Sequence, residues 1–217
     1  MTPSELSRRA RAIYRKGSWA ARSLQRYRPW ICPFDRMLPL IPPNTTVLDV
    51  GCGGGLFLFL LATSEVTITG TGVDVSHASI RFAQENRNHE PSLQRRLDFQ
   101  VLDATRPWPF GKFDVVSLID VLHHVPQGSQ LNVLEEAASH VKPSGVLLYK
   151  DMCDSPRWQA LANRTHDLLL AQQWIHYLPI EKVEQWAMSK GMKLSHREDV
   201  RRFWYGHELR VFQQVSV

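Results

Sequence analysis

The sequence predicts an α/β fold: a doubly wound, mostly parallel seven-stranded sheet with an antiparallel last strand, preceded by basic N-terminal helices. Three observations predict it. Short runs rich in apolar and β-branched residues alternate with helical patterns between about residues 45 and 150, which is the signature of a parallel sheet with helices on its faces. Two of those runs, FDVVSLID and VLLYK, have apolar stretches without strict alternation, as strands covered on both faces do. The last 26 residues hold two further strand-like segments joined by so short a link that they must pair antiparallel.

The elements follow in order. Ser4 is a candidate N-cap for a helix carrying Leu6, Ala10 and Ile13. After Gly17-Ser18 an amphipathic pattern through Trp19, Ala20, Leu24 and Tyr27 runs to Pro29. Residues 29–43 hold five prolines and read as a packed connector, with a short helix near Phe34–Leu38. Strands are expected at 47–50, 66–75, 97–102, 113–120 and 146–150, with Pro143-Ser144-Gly145 as a turn before the fifth. Helices are expected at 56–63, from the Ser76 cap to about Asn88, and at 128–141. Beyond them, 156–173 and 179–190 read as helices, with Gly191 as a stop. The domain reading is an arm and connector over 1–43 and a main domain over 44–217, with a helical insertion at about 155–190.

Composition narrows the class. Hydrophobic residues at 43% and charged residues at 22% describe a chain with a real core rather than a disordered one. The longest apolar run, Leu56–Ala62, is too short for a transmembrane segment, and the basic N-terminus lacks the apolar stretch of a signal peptide. Cys32, Cys52 and Cys153 form no CxxC pair, so a reducing cytoplasm is expected and neither a disulfide framework nor a structural zinc site. His123, His124, His166, His176 and His207 show no HxxxH spacing, and no metal is expected. The net charge of +5 is uneven: residues 1–31 hold eight Arg and Lys against the single acid Glu5. Such an arm suits an anionic partner, although a solvated helix face would look the same.

The segment Val47 to Gly55 carries the most information. It sets a strand and an acid ahead of glycines at 51, 53 and 55, with a helix after them. Glycines let the chain turn sharply and let a ligand lie against bare backbone, at the strand end where doubly wound sheets bind ligands. A dinucleotide fingerprint needs a third glycine at 56 or 58, where leucines stand, and a phosphate loop needs a Lys-Ser/Thr that is missing.

Asp49, Gly51, Gly53 and Gly55 resemble the first motif of class I S-adenosylmethionine (SAM)-dependent methyltransferases, and the motif spacing is similar to the quinone-biosynthesis, small-molecule type. The likeness extends over about 45–150: Gly72-Val73-Asp74-Val75-Ser76, Leu102-Asp103-Ala104, Phe113 to Asp120 followed by Val121-Leu122-His123-His124, and Lys142-Pro143-Ser144-Gly145, where Ser144 departs from the family's glycine. The resemblance implies that SAM, leaving as S-adenosylhomocysteine (SAH), is held by Asp49, Gly51, Cys52, Gly53, Gly55, Asp74, Val75, Asp103, Ala104 and Asp120. Asp74 would take the ribose hydroxyls and Asp103 the adenine amino group. His123 or His124 would be the general base. The insertion, with Trp174, His176 and Tyr177, together with Tyr27 from the arm, would line the acceptor pocket.

The expected acceptor is a small or lipid-like metabolite methylated at oxygen or carbon. The arm would then touch a membrane surface, which would place the chain in the cytoplasm or at the inner membrane face. RNA methylation through the basic arm is a second reading, supported by Trp19, Tyr27 and Trp30 among the arginines. A non-catalytic SAM-binding protein is a third.

Overall fold

A computed structural model describes residues 1–64, 67–153, 176–203 and 205–215. Contacts divide the chain into two compact units, Met1–Trp108 and Pro109–Val217.

The first unit opens with α1 (Pro3–Ile13) and α2 (Trp19–Ile31), then a single turn, α3 (Phe34–Met37). Thr2, not Ser4, caps α1: Pro3 takes the first helical position, where no N–H is needed, and Glu5 reaches back to the Thr2 N–H in a capping box. Helix α2 continues past Pro29 to Ile31, and the Cys32 N–H closes on the Arg28 carbonyl at 2.8 Å. Strands β1 (Thr45–Val50), β2 (Ile68–Asp74) and β3 (Leu97–Val101) are parallel, with β2 between the others. Helices α4 (Leu56–Ala62), α5 (His77–Arg87) and α6 (Pro91–Gln94) connect them. Every residue of α4 is buried, so its sequence LFLFLLA is apolar all round rather than striped. Ser76 caps α5 as its position suggested, its hydroxyl accepting the Ser79 N–H at 3.2 Å.

The second unit holds β4 (Phe113–Ile119), α7 (Gln130–Ser139), β5 (Val141–Met152), α8 (Ile180–Ser189), β6 (Met192–Arg202) and β7 (Tyr205–Gln214). Strands β4 and β5 are parallel; β7 runs antiparallel to β5 and to β6. The strand order is β3-β2-β1 in the first unit and β4-β5-β7-β6 in the second. The turn expected before the fifth strand lies inside it: β5 starts at Val141, and the register slips between Phe113 and Val115 to accommodate Lys142–Gly145. Ser144 adopts φ +62°, and a Cβ on Gly145 would come 2.8 Å from the Asp114 carbonyl, so the bulge is held tightly. Gly191 ends the last helix at φ +73°, as expected. Among the insertion residues, the proposed helix 156–173 and Trp174 lie outside the described residues. Trp186 is core, only 8% exposed on α8. No described helix is long and apolar enough to cross a membrane.

Candidate functional site

In the first unit the glycine loop leaves β1 and turns into α4. Asp49 is buried at the strand end. The Gly51 and Cys52 N–H groups donate to the Val73 carbonyl at 2.8 and 3.0 Å, which ties the loop to β2. Gly55 caps α4 at φ +81°, and a Cβ there would lie 2.6 Å from the Phe99 ring. Gly53 also has positive φ (+53°) but faces open space: a Cβ there would meet nothing within 4 Å. Backbone at that point is therefore bare on its outer side, as close approach of a ligand requires.

Asp74 stands at the end of β2, facing this loop. One carboxylate oxygen accepts the Gly53 N–H at 2.8 Å, and the other accepts the Ser76 N–H at 2.9 Å. Each oxygen has two acceptor sites, so this clamp fixes the group and leaves it capacity for two further donors, such as a ribose diol. Val75 beside it is 66% exposed, an apolar surface suited to one face of an adenine ring. Asp103 follows β3. One of its oxygens accepts the Thr105 N–H and hydroxyl at 2.9 and 2.7 Å, and those bonds hold its carboxyl below the usual range. The Ala104 carbonyl accepts the Trp108 indole N–H at 3.1 Å. Burial, then the charges of Asp49 and Asp74, push the Cys52 thiol well above its ordinary pKa. An acid, an open glycine, a clamped carboxylate and an apolar step along the ends of three parallel strands form a donor and acceptor set that fits SAM.

Two arm residues support this loop, and neither is marked by any pattern in the sequence. The Tyr14 hydroxyl donates to the Gly54 carbonyl at 2.7 Å from a fully buried position, with its ring stacked on Phe82 at 5.1 Å. Burial foremost, then Cys52, hold its phenol well above the usual value. Gln25 of α2 lies against Gly54, its amide nitrogen 2.9 Å from where a Cβ would stand. An aromatic and an amide on amphipathic helices look like ordinary packing residues, so only the fold reveals them.

In the second unit the stretch after β4 forms a 3-10 turn, Leu122–His124. His123 is buried and its Nδ1 meets the carboxylate of Asp151, near the end of β5. The Met152 N–H donates to the same Asp151 oxygen at 2.8 Å. His124 is exposed, its ring 4.1 Å from that of His123. The Tyr177 ring stands 6.2 Å from His123, and the His176 N–H donates to the His123 carbonyl at 3.1 Å. Gln130 adds a brace: its amide donates to the carbonyls of Leu122 and His176 at 2.9 and 2.6 Å. The structure thus brings His123, His124, His176 and Tyr177 together. Tyr27 is in the first unit, on an exposed face of α2 with the Arg26 guanidinium 5.2 Å from its ring centre. Asp120 adopts φ +56°, a conformation costly for a non-glycine residue, and its carboxylate is paired with the fully buried amino group of Lys150. Asp151 escaped the sequence reading. Its one signal was an acid at the end of a buried apolar strand.

A ubiquinone biosynthesis O-methyltransferase of Albidiferax ferrireducens is 34% identical over 119 residues, 54% of this chain and 44% of that protein. The chain thus spans under half the length of that relative. The enzyme of the same name from Coxiella burnetii is 29% identical over 184 residues, 79% of this chain and 73% of the relative. The fold matches that of magnesium protoporphyrin IX methyltransferase from Synechocystis PCC 6803 with bound SAH at a TM-score of 0.72, with 18% identity over 95% of this chain and 93% of that one. A methyltransferase domain model matches residues 22–196, well over half of the sequence, and the chain belongs to the methyltransferase domain family.

Proposed function

We propose that the protein is a SAM-dependent O-methyltransferase acting on a hydroxyl of a small or lipid-like metabolite, with His123 as general base. The relatives named above are O-methyltransferases of quinone biosynthesis, which favours oxygen over carbon as the acceptor atom. The buried His123–Asp151 pair carries the reading. A carboxylate on Nδ1 fixes the neutral tautomer whose Nε2 is free of its proton, and it stabilises the imidazolium that forms. Bound SAM supplies an activated methyl group with a good leaving group. The acceptor oxygen then attacks the methyl carbon as the C–S bond breaks, its electron pair goes to sulfur, and the hydroxyl proton passes to His123 Nε2. Asp49, Gly53, Asp74, Val75 and Asp103 would hold the cofactor. The pocket beside His123 would be lined by His124, His176 and Tyr177. The basic arm would bring the enzyme to an anionic surface where such an acceptor resides, giving a peripheral location.

The test pairs calorimetry with turnover. Wild type should bind SAM and SAH, Asp74→Ala should lose that binding, and SAH should be released when alkylated catechols and phenols are supplied. His123→Ala should keep SAM affinity and lose roughly 10²–10⁴-fold in kcat, and Asp151→Asn should fall in the same direction. Absence of SAM binding by folded wild type sinks the cofactor reading. Near-normal turnover in both variants sinks the base.

A further inference from the structure

An amphipathic helix on a protein body normally turns its apolar stripe inward. Helix α2 does the reverse. Its buried positions are Gln25 and Pro29, whereas Trp19 is 77% exposed, Leu24 60%, Tyr27 53% and Trp30 40%. At 3.6 residues per turn these four fall on one arc of about 140°. Isolated exposed apolar residues are ordinary, but a contiguous face of four large ones, three of them aromatic, marks a surface that meets something.

A second feature adjoins it. Arg11 and Arg15 of the α1 end and Arg22 and Arg26 of α2, with Tyr14, Trp19 and Ser23, line a cleft of about 390 Å³. None of its lining residues is acidic. Four guanidinium groups around one recess are suited to a phosphate, which they can hold with paired charge-assisted hydrogen bonds. Trp19 belongs to both features, so the cationic recess and the apolar face are edge to edge.

We infer that α2 is a membrane-docking helix that lies flat on an anionic phospholipid surface. A lipid phosphate occupies the arginine cleft, and Trp19, Leu24, Tyr27 and Trp30 enter the headgroup–acyl boundary. Tryptophan and tyrosine favour that boundary because one part of the ring system is apolar and the other can hydrogen-bond. Each arginine near the surface adds attraction to anionic lipid. Single-stranded nucleic acid would use the three rings for stacking and the arginines for phosphates, but it offers Leu24 nothing. The inference names the partner of the arm and rests on the proposed lipid-like acceptor only for its purpose.

The experiment therefore omits SAM and acceptor, so its outcome is independent of the catalytic reading. The full chain is sedimented with vesicles of phosphatidylcholine, with and without phosphatidylglycerol, and its tryptophan emission is followed. Wild type should bind the phosphatidylglycerol vesicles with a blue shift. Leu24→Ser with Trp30→Ser should weaken partitioning roughly tenfold or more, and Arg22→Glu with Arg26→Glu should abolish the preference for anionic lipid. An unchanged melting temperature in both double variants verifies folding, since all four side chains are at the surface. Failure of wild type to bind, or binding indifferent to the Leu24/Trp30 pair, overturns the inference. So does tight binding of single-stranded RNA that displaces the vesicles and tolerates Leu24→Ser.

Discussion

Cys52 shows how the candidate cofactor site sets the chemistry of a single side chain. Burial removes the water that would solvate its thiolate, and the carboxylates of Asp49 and Asp74 add like charge. All three influences raise its pKa, so at neutral pH the reactive thiolate is scarcer than in a free cysteine. Labelling with a disulfide reagent at neutral pH should be slow at this position. Asp74→Asn removes one anionic neighbour and should speed it; peptide mass spectrometry would locate the label. Labelling of Cys52 at the rate of free cysteine would contradict the arrangement. At this scale the candidate cofactor residues left marks in the sequence, because bare backbone favours glycine and a carboxylate suits a diol, and the glycines and Asp74 stand at fixed spacing. The partners were not. Asp151 lies 28 residues from His123 and Tyr14 lies 40 from Gly54, and no local pattern encodes such a contact. Asp103 and Asp74 show the limit of reading a role from a residue type, since each carboxylate is also a backbone brace.

Between elements, the joint of α1, α2 and α5 depends on one buried amide. Asn86 of α5, 1% exposed, accepts the Arg15 and Lys16 N–H groups at 2.9 Å each and donates to the Phe82 carbonyl at 2.8 Å. Those two N–H groups belong to the link between α1 and α2, beyond the regular i to i−4 ladder, and the Arg15 N–H also donates to the Ile13 carbonyl at 3.1 Å. Asn86→Ala should strand the Lys16 donor, leave the Arg15 N–H only its 3.1 Å bond to the Ile13 carbonyl, and cost about 1–3 kcal/mol of stability, read as a lower urea midpoint with an unchanged slope. A loss under about 0.5 kcal/mol, the range of ordinary surface substitutions, would show that the link rearranges freely. The elements themselves were mostly legible: apolar runs fixed the strands of both units, and Ser76 and Gly191 marked helix ends by their capping chemistry. The misplacements have physical causes. Thr2 outcompetes Ser4 because Pro3 and Glu5 complete its cap, and Pro29 is absorbed into α2 because it is buried there. The bulge in β5 hides the strand start behind what reads as a plain turn.

At the scale of the whole molecule, cofactor binding and folding are linked. A ligand that binds only the folded chain stabilises it by RT ln(1 + [L]/Kd), about 2.7 kcal/mol at a hundredfold excess over Kd. For a chain of this size each kcal/mol moves the midpoint by roughly 2–4 °C, so saturating SAM should raise it by about 5–10 °C. The glycine loop is assembled from the ends of β1 and β2, with Tyr14 and Phe99 against it, so a cofactor bound there would report on folding of all those segments together. The shift should belong to whichever unfolding transition carries that loop, and it should grow with the logarithm of SAM concentration above Kd. Asp74→Ala should melt with no SAM dependence, because the clamp on Gly53 and the carboxylate's capacity for further donors vanish together. If the variant responds to SAM as wild type does, the cofactor is held elsewhere and Asp74 is only a turn residue. If neither responds while both are folded, the loop has the shape of the family's cradle without its ligand.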